Sequence, residues 1–182
     1  MSKLWEKTLS DTPIYDGAVV HLHKYEVELP DNKTGIREVI RHIGAVCVLP
    51  LTENDEVICV RQYRYPFGCV LTELPAGKLD APDEDPLEAA RRELREETGV
   101  IAESIVPLGK LYPSPAILDE VLHLYLATGL TFTQTDPDDD EYIDVIKIPL
   151  AELTQRILDG EIPDAKTQVT VLKLVAMRAL NA

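Results

Sequence analysis

The segment "DPLEAARRELREETG" constrains the fold most, because it carries a complete set of signals for one helix. Asp85 followed by Pro86 is a strong helix start, since an Asp side chain caps free amides and proline suits the first turn. Apolar residues such as Leu94 recur at helical spacing and would face a core, and Gly99 supplies a C-terminal stop. The sequence therefore predicts a helix over residues 86–98.

The same segment concentrates acidic side chains. Glu93, Glu96 and Glu97 fall within roughly a 100° arc of a helix, on a side away from its apolar positions. From these residues alone two interpretations stay open. One is an exposed helix face held by ion pairs with the neighbouring arginines. The other is a site for a hard cation such as Mg²⁺, which takes carboxylate oxygens together with substrate phosphate.

The charge balance and the cysteines limit the partners and the location. With 18 basic and 32 acidic residues the formal net charge is −14, which argues against a nucleic-acid surface. No run approaches the ~18 apolar residues of a membrane span, so no membrane partner is expected. Cys47 and Cys59 lie in apolar runs and no CxxC pair occurs, so we expect buried thiols and a cytoplasmic protein.

The rest of the chain mixes strand patterns with further helices. Strands are predicted in the runs 18–29, 36–51, 56–66, 104–112, 120–127 and 143–150, and helices at 150–160 and 166–180. Such a mixture predicts an α/β or α+β layered domain. We expect an N-terminal β-strand region over residues 1–40 and a main domain over residues 41–182.

The stretch "GKLDAPDEDPLEAARRELREETGV", residues 77–100, closely resembles the Nudix box, written G-x5-E-x7-R-E-U-x-E-E-x-G-U with U aliphatic. From Glu84 through Arg92 to Val100 the pattern fits without a gap. One departure precedes it, because six residues rather than five separate Gly77 from Glu84. An insertion in that loop affects loop geometry more than the helix.

The resemblance implies a Nudix hydrolase, with an α/β/α sandwich and a mixed β-sheet preceded by an N-terminal antiparallel strand region. Such enzymes hydrolyse a nucleoside diphosphate linked to another moiety, using Mg²⁺ or Mn²⁺. By resemblance, Glu93, Glu96 and Glu97 are metal ligands, joined by the backbone carbonyl of Ala76. Arg92 is expected to orient one of the glutamates.

Flanking segments narrow the resemblance to one branch of the family. "VRQYRYP", "ELPAGKL", "YPSPAILDEVLHLYLA" and "IPDAKTQ" are similar to segments of ADP-ribose pyrophosphatases and related nucleoside-diphosphate-sugar hydrolases. This implies a nucleoside diphosphate sugar as substrate, and a homodimer that exchanges N-terminal strands. A different specificity, such as GDP-mannose, and a non-catalytic module that senses ADP-ribose stay open as alternatives.

The resemblance also assigns roles outside the helix. Arg64 is expected to contact a phosphate or the terminal ribose, since a guanidinium suits multidentate recognition. Glu73 matches a glutamate on the substrate or metal side, and Tyr63 is a candidate for stacking on a base. Pro115 is a marker of the ADP-ribose group, although Ala116 departs from the glycine that often follows it.

The general base is expected in the acidic loop 136–141 of "TDPDDDEY". By resemblance Glu141 is the first candidate and Asp139 the second. Some sugar-nucleotide relatives lack a carboxylate in this loop. A base on the helix itself, with Glu96 as its candidate, therefore stays open.

Overall fold

The computed structural model describes residues 4–136 and 142–181. The chain divides into two compact units, which comprise Met1–Ile43 with Tyr112–Val121 and Gly44–Leu111 with Leu122–Ala182. The described residues contain both strands and helices, in the mixed α/β class that the sequence predicts. Within this described part, no helix combines the length and the apolar character needed to cross a membrane.

The first unit is built on one antiparallel sheet. Its strands, in chain order and sheet order, are β1 (Lys7–Asp16), β2 (His21–Glu28) and β3 (Thr34–Arg41). The segment 112–121 joins this unit through the Ile40 amide, which donates to the Ile117 carbonyl at 2.8 Å. Among the residues of these three strands only Val27 is buried, so the unit has little core of its own.

The second unit contains two sheets. The larger runs in the order β7-β4-β9-β8 and consists of β4 (Ala45–Pro50), β7 (Ala76–Lys78), β8 (Val100–Leu111) and β9 (Leu122–Phe132). It is a mixed sheet, because β4 runs parallel to β9 while the other two pairings are antiparallel. The smaller sheet is antiparallel and orders β10 (Ile143–Pro149), β5 (Glu56–Arg64) and β6 (Cys69–Glu73).

The helices α1 (Pro86–Thr98), α2 (Leu150–Leu158) and α3 (Ala165–Leu180) complete the second unit. Because side chains alternate along a strand, β4 contributes to a core on each of its faces. Cys47 and Leu49 pack in the core that α2 and α3 share. Val46 and Val48 pack in the core that α1 covers. Strand β4 therefore lies between helical layers, as in the predicted α/β/α sandwich.

Helix α1 has the predicted bounds because its end signals are local. The Asp85 side chain accepts a hydrogen bond from the Leu87 amide at 2.9 Å, and Pro86 occupies the first turn. Gly99 closes the helix in the left-handed region, with φ of 66°. Leu94 is fully buried, and burying a leucine contributes about 1.5–3 kcal/mol. The buried apolar side of α1 sets the direction of its acidic side.

Other bounds differ from those predicted. The run 36–51 divides into β3 and β4, with Gly44 between them at φ of 111°. Strand β8 begins at Val100, directly after the stop of α1, rather than at residue 104. Strand β1 was not predicted, because its pattern is polar and interrupted by Pro13.

Candidate active site

Strand β7 meets the acidic side of α1. Glu97 is 3% exposed, and its carboxylate accepts a hydrogen bond from the Ala76 amide at 3.1 Å. The next residue, Gly77, lies against the Glu93 carboxylate so closely that a Cβ on Gly77 would overlap it. Two consecutive residues of β7 therefore lie against two of the three predicted glutamates.

Arg92 joins the remaining carboxylates. Its Nη1 donates to Glu93 Oε1 at 2.8 Å and to Glu96 Oε2 at 3.2 Å. Its Nε lies 3.4 Å from Glu84 Oε1, and its Nη2 donates to the Lys78 carbonyl at 3.2 Å. Arg92, which is expected to orient one glutamate, thus contacts Glu93, Glu96 and Glu84.

The charges around Arg92 stabilise its protonated form. Partial burial alone would lower the pKa of Arg92. The charge and hydrogen bond of Glu93, with the hydrogen bonds of Glu84 and Glu96, outweigh that effect and raise this pKa above its ordinary value. The guanidinium therefore remains a fixed positive charge among these carboxylates.

The loop before α1 accommodates the extra residue in a turn. The Glu84 amide donates to the Ala81 carbonyl at 3.1 Å, a hydrogen bond that closes a four-residue turn. The Glu84 carboxylate accepts from the Asp80 amide at 2.6 Å. Glu84 therefore fixes the loop with one oxygen and approaches Arg92 with the other, despite the added residue after Gly77.

The donor set of this site fits a hard divalent cation. Carboxylate and carbonyl oxygens are the ligands that Mg²⁺ prefers, and the absent side chain of Gly77 leaves the space that the Glu93 carboxylate fills. As the side chains stand, no three His, Cys, Asp or Glu residues within 4–136 and 142–181 form a metal-binding group. Arg92 contacts one carboxylate oxygen of Glu93 and one of Glu96, so it fixes the orientation of both groups beside the candidate metal position.

The two candidates on β5 lie near the end of that strand. Arg64 donates to Glu73 twice, from Nε at 2.7 Å and from Nη2 at 2.8 Å. Glu73 is 1% exposed, while the Tyr63 side chain is largely exposed. Lys166 Nζ also donates to Glu73. The structure therefore brings Arg64 and Glu73 together and adds a lysine that was not predicted.

Three further residues were predicted for the site. Pro115 belongs to the first unit, where it borders a small pocket with Val39 and Tyr112. Glu141 and Asp139, the candidates for the general base, lie outside the described residues. Their assignments stay predictions.

Three residues of the site were given no role from the sequence: Glu84, Gly77 and Lys166. Glu84 and Gly77 stand at fixed positions of the quoted motif, so their positions were visible although their contacts were not. Lys166 is 93 residues from its partner Glu73, a separation that no local spacing reveals. The only local signal near Lys166 is Asp164, a residue type that is preferred at the start of a helix. In the structure Asp164 caps α3 and accepts a hydrogen bond from the Thr167 amide at 3.0 Å.

Comparison with known proteins identifies the family. A family model described as the NUDIX domain matches residues 41–168. Over 184 residues the chain is 42% identical to a methanol dehydrogenase activator of Bacillus methanolicus, covering 100% of this chain and 99% of that protein. It is 37% identical to an ADP-ribose pyrophosphatase of Bacillus subtilis, with the same coverage. It is 36% identical to a GDP-mannose pyrophosphatase of Yersinia enterocolitica, over 80% of this chain and 83% of that protein.

A solved structure has the same fold. The crystal structure of an ADP compounds hydrolase superposes with a TM-score of 0.87, covering 100% of this chain and 99% of that chain at 21% identity. The predicted α/β fold is thereby confirmed. The family model spans most of the chain, and relatives align along its whole length. The chain therefore belongs to the Nudix family of hydrolases.

Proposed function

We propose that this protein hydrolyses the pyrophosphate bond of ADP-ribose or a related nucleoside diphosphate sugar, giving a nucleoside monophosphate and a sugar phosphate. The main support for this proposal is the contact between β7 and α1, where Ala76 lies against Glu97 and Gly77 lies against Glu93. The substrate class follows from the relatives, which include ADP-ribose and GDP-mannose pyrophosphatases aligned over most of the chain.

Nudix hydrolases generally need a divalent metal, and for this chain we propose Mg²⁺ or Mn²⁺. The proposed ligands are Glu93, Glu96, Glu97 and the Ala76 carbonyl. A bound metal would neutralise charge on the two phosphates and lower the pKa of the attacking water. The hydrogen bond from the Ala76 amide to Glu97 holds that residue and that carboxylate together before any metal binds.

Residues of the chain supply orientation and substrate contacts. Arg92 orients one of these metal-binding glutamates, and its contacts with Glu93 and Glu96 support that role. Arg64 binds a phosphate or the terminal ribose, with its guanidinium plane fixed by two hydrogen bonds to Glu73. Tyr63 offers an exposed ring for stacking on a base. Pro115 is kept as a proposed substrate contact by resemblance to ADP-ribose pyrophosphatases.

The proposed general base is Glu141, with Asp139 second and Glu96 as the alternative on α1. The chain is tied to α1 just before the acidic segment, since the Asp136 amide donates to the Glu96 carbonyl at 2.9 Å. Glu141 is five residues beyond Asp136, and five residues can span up to about 17 Å. That length is sufficient for Glu141 to reach the glutamates of α1.

Turnover of a panel of nucleotide sugars tests the proposal. ADP-ribose and GDP-mannose are incubated with the protein and Mg²⁺, and phosphatase is then added, so that only the cleaved products release phosphate. We expect release from at least one substrate, and a loss of about 10²-fold or more in Glu97→Gln. Comparison of Glu141→Gln, Asp139→Asn and Glu96→Gln then identifies the base. No turnover of any substrate would contradict the proposed function.

We further propose a cytoplasmic homodimer. The three-stranded sheet of the first unit has only Val27 buried among its strand residues and exposes Leu9, Ile14 and Ile36. A small sheet needs a partner surface for stability, and a second copy of the chain would supply it. Light scattering coupled to size exclusion should give twice the mass of 20.3 kDa. A monomer at micromolar concentration would contradict the dimer.

A second candidate function is activation of a methanol dehydrogenase. It is favoured by the 42% identity, over the whole of both chains, to the methanol dehydrogenase activator of Bacillus methanolicus. The test is the rate of methanol oxidation by such a dehydrogenase with and without this protein. Because the relative aligns along the full length, activation is compatible with hydrolysis by the same site. Glu97→Gln distinguishes an activation that needs hydrolysis from one that does not.

A further inference from the structure

A partly buried ionic cluster, centred on the buried Glu73, lies beside the candidate active site and is not part of the family motif. Glu73 stands at the end of β6 and is 1% exposed. Its carboxylate accepts two hydrogen bonds from Arg64 and one from Lys166 Nζ, which stands in the first turn of α3. Lys166 Nζ also donates to Asp164 Oδ1 at 3.1 Å. Two acids and two bases therefore form one connected set.

The first turn of α3 is fixed to the same segment by a second contact. The Asp164 Oδ2 accepts from the Thr167 amide at 3.0 Å and from the Thr167 hydroxyl at 2.6 Å. The Thr167 Oγ1 in turn accepts from the Leu74 amide at 2.8 Å. Thr167 is fully buried, so this side chain links the helix cap directly to the backbone after Glu73.

Four consecutive residues are consequently held in place. Glu73 is held by its carboxylate, and Leu74 by its amide. The Pro75 carbonyl accepts from the Val48 amide at 2.9 Å. The Ala76 amide donates to Glu97. The tethers form a continuous path from Lys166 to a proposed metal ligand.

The charged forms of the cluster are the stable ones. Burial would raise the pKa of Glu73, but the Arg64 hydrogen bonds and the Lys166 charge lower it overall. Burial would lower the pKa of Lys166, but the Asp164 and Glu73 charges raise it overall. A buried ion pair adds little stability relative to a neutral pair of similar shape, whereas loss of one partner is costly. The cluster should therefore contribute mainly by fixing the positions of the residues that it joins.

We propose that Lys166 is a positioning residue of the active site, which acts through Glu73 to hold the segment 73–76 so that Ala76 meets Glu97. The inference rests on the proposed metal-dependent hydrolysis. The Lys166 ammonium donates to Glu73 and to Asp164. The effect of Lys166 is transmitted along the backbone of residues 73–76 to the Ala76 carbonyl and the Glu97 carboxylate. A change at Lys166 should therefore alter the affinity of the site for metal.

The test compares Lys166→Met with Lys173→Met, the same change at a lysine farther along α3. The first readout is direct Mn²⁺ binding without substrate, followed by the electron paramagnetic resonance of free Mn²⁺. The second is the metal concentration that gives half-maximal turnover. We expect Lys166→Met to weaken Mn²⁺ binding about 10-fold, at the lower end of the effect of groups that bond directly to metal ligands. We expect Lys173→Met to bind like the unmodified protein and Lys166→Arg to recover part of the affinity.

Stability is separated from positioning by a double variant. Glu73→Gln with Lys166→Met removes both charges, so it should regain thermal stability lost in the single variant but not the metal affinity. It also serves as the decisive variant if Lys166→Met does not fold. Unchanged Mn²⁺ affinity in either variant would overturn the inference. If the unmodified protein neither binds Mn²⁺ nor turns over any nucleotide sugar, the proposed function itself fails.

Discussion

The Gly77 α-carbon lies against the carboxylate of Glu93, and the space that a side chain would occupy at position 77 is filled by that carboxylate. The close approach places strand β7 next to the acidic side of α1. Gly77 is not among the glycines with positive φ, so backbone conformation does not require a glycine here. The requirement is steric, because a side chain at position 77 would overlap the Glu93 carboxylate.

Gly77→Ala should therefore preserve the fold and impair the reaction. The added methyl group would displace the Glu93 carboxylate, and a shift of about 1 Å in a reacting group can cost about 10²-fold in rate. We expect a loss of about that size in kcat/KM for the best nucleotide sugar, with a far-ultraviolet circular dichroism spectrum unchanged.

Gly35→Ala is the matched control for Gly77→Ala. It adds the same methyl group to a strand glycine whose nearest neighbours would be the flexible side chains of Leu29, at 3.1 Å, and Arg37, at 3.5 Å. Equal activities of the two variants would contradict the steric argument.

Arg92 should matter most when no metal is bound. Arg92→Met removes the cation between Glu84, Glu93 and Glu96, and a hydrogen bond to a charged group contributes about 1.5–3 kcal/mol. In EDTA we expect a lower melting temperature by about 3–9 °C. Mg²⁺ would return positive charge to the carboxylates that lose Arg92, and a ligand stabilises the state that it binds. Mg²⁺ should therefore raise the melting temperature of Arg92→Met more than that of the unmodified protein.

The neighbouring arginine supplies the control for that measurement. Arg91 makes a long ion pair with Glu88, at 3.6 Å, on the exposed side of α1. Surface pairs of this kind contribute about 0–1 kcal/mol, so Arg91→Met should melt near the unmodified protein with and without Mg²⁺. A larger effect in Arg91→Met than in Arg92→Met would contradict the assigned roles.

Local signals explain which parts of the fold could be predicted. The bounds of α1 follow from Asp85, Pro86 and Gly99, each of which acts within a turn of its own position. Strand β1 carries no apolar alternation and pairs with β2 through its backbone and through side-chain hydrogen bonds of Asp16 with His21 and of Asp11 with His23. Its partner lies on the next strand, so the stabilising hydrogen bonds leave no pattern in the sequence of β1 itself.

The same distinction holds for the candidate site. The glutamates of α1 could be found because their spacing is fixed by one helix, and Glu97 and Glu93 do lie against β7. The contact between Lys166 and Glu73 depends on the packing of α3 against the end of β6. Tertiary packing brings those residues together, and no spacing within either segment encodes it.

Thiol reactivity should separate the three cysteines. Cys47 and Cys59 are buried, whereas Cys69 is exposed on β6. Burial raises the pKa of both buried thiols to about 12, and the thiolate is the reactive form. A chromogenic disulfide reagent at pH 8 should titrate one thiol in the native protein and three in guanidinium chloride. Cys69→Ser should remove the native reaction, and rapid titration of two thiols would contradict the core assignment.

Acidification should weaken the contribution of Glu73 to stability. Burial opposes ionisation of this carboxyl, but Arg64 and Lys166 outweigh it and hold the pKa below the ordinary value of 4.5. A group with a depressed pKa in the folded state stabilises the fold above its unfolded pKa, and this stabilisation is lost as the pH falls through the folded value. The difference in free energy of unfolding between the unmodified protein and Glu73→Gln should therefore be constant near neutral pH and shrink below about pH 4.5.

Urea unfolding at a series of pH values measures this difference in free energy, with Glu53→Gln in an exposed turn as the control. A difference that grows on acidification would mean that burial, rather than the two cations, dominates at Glu73.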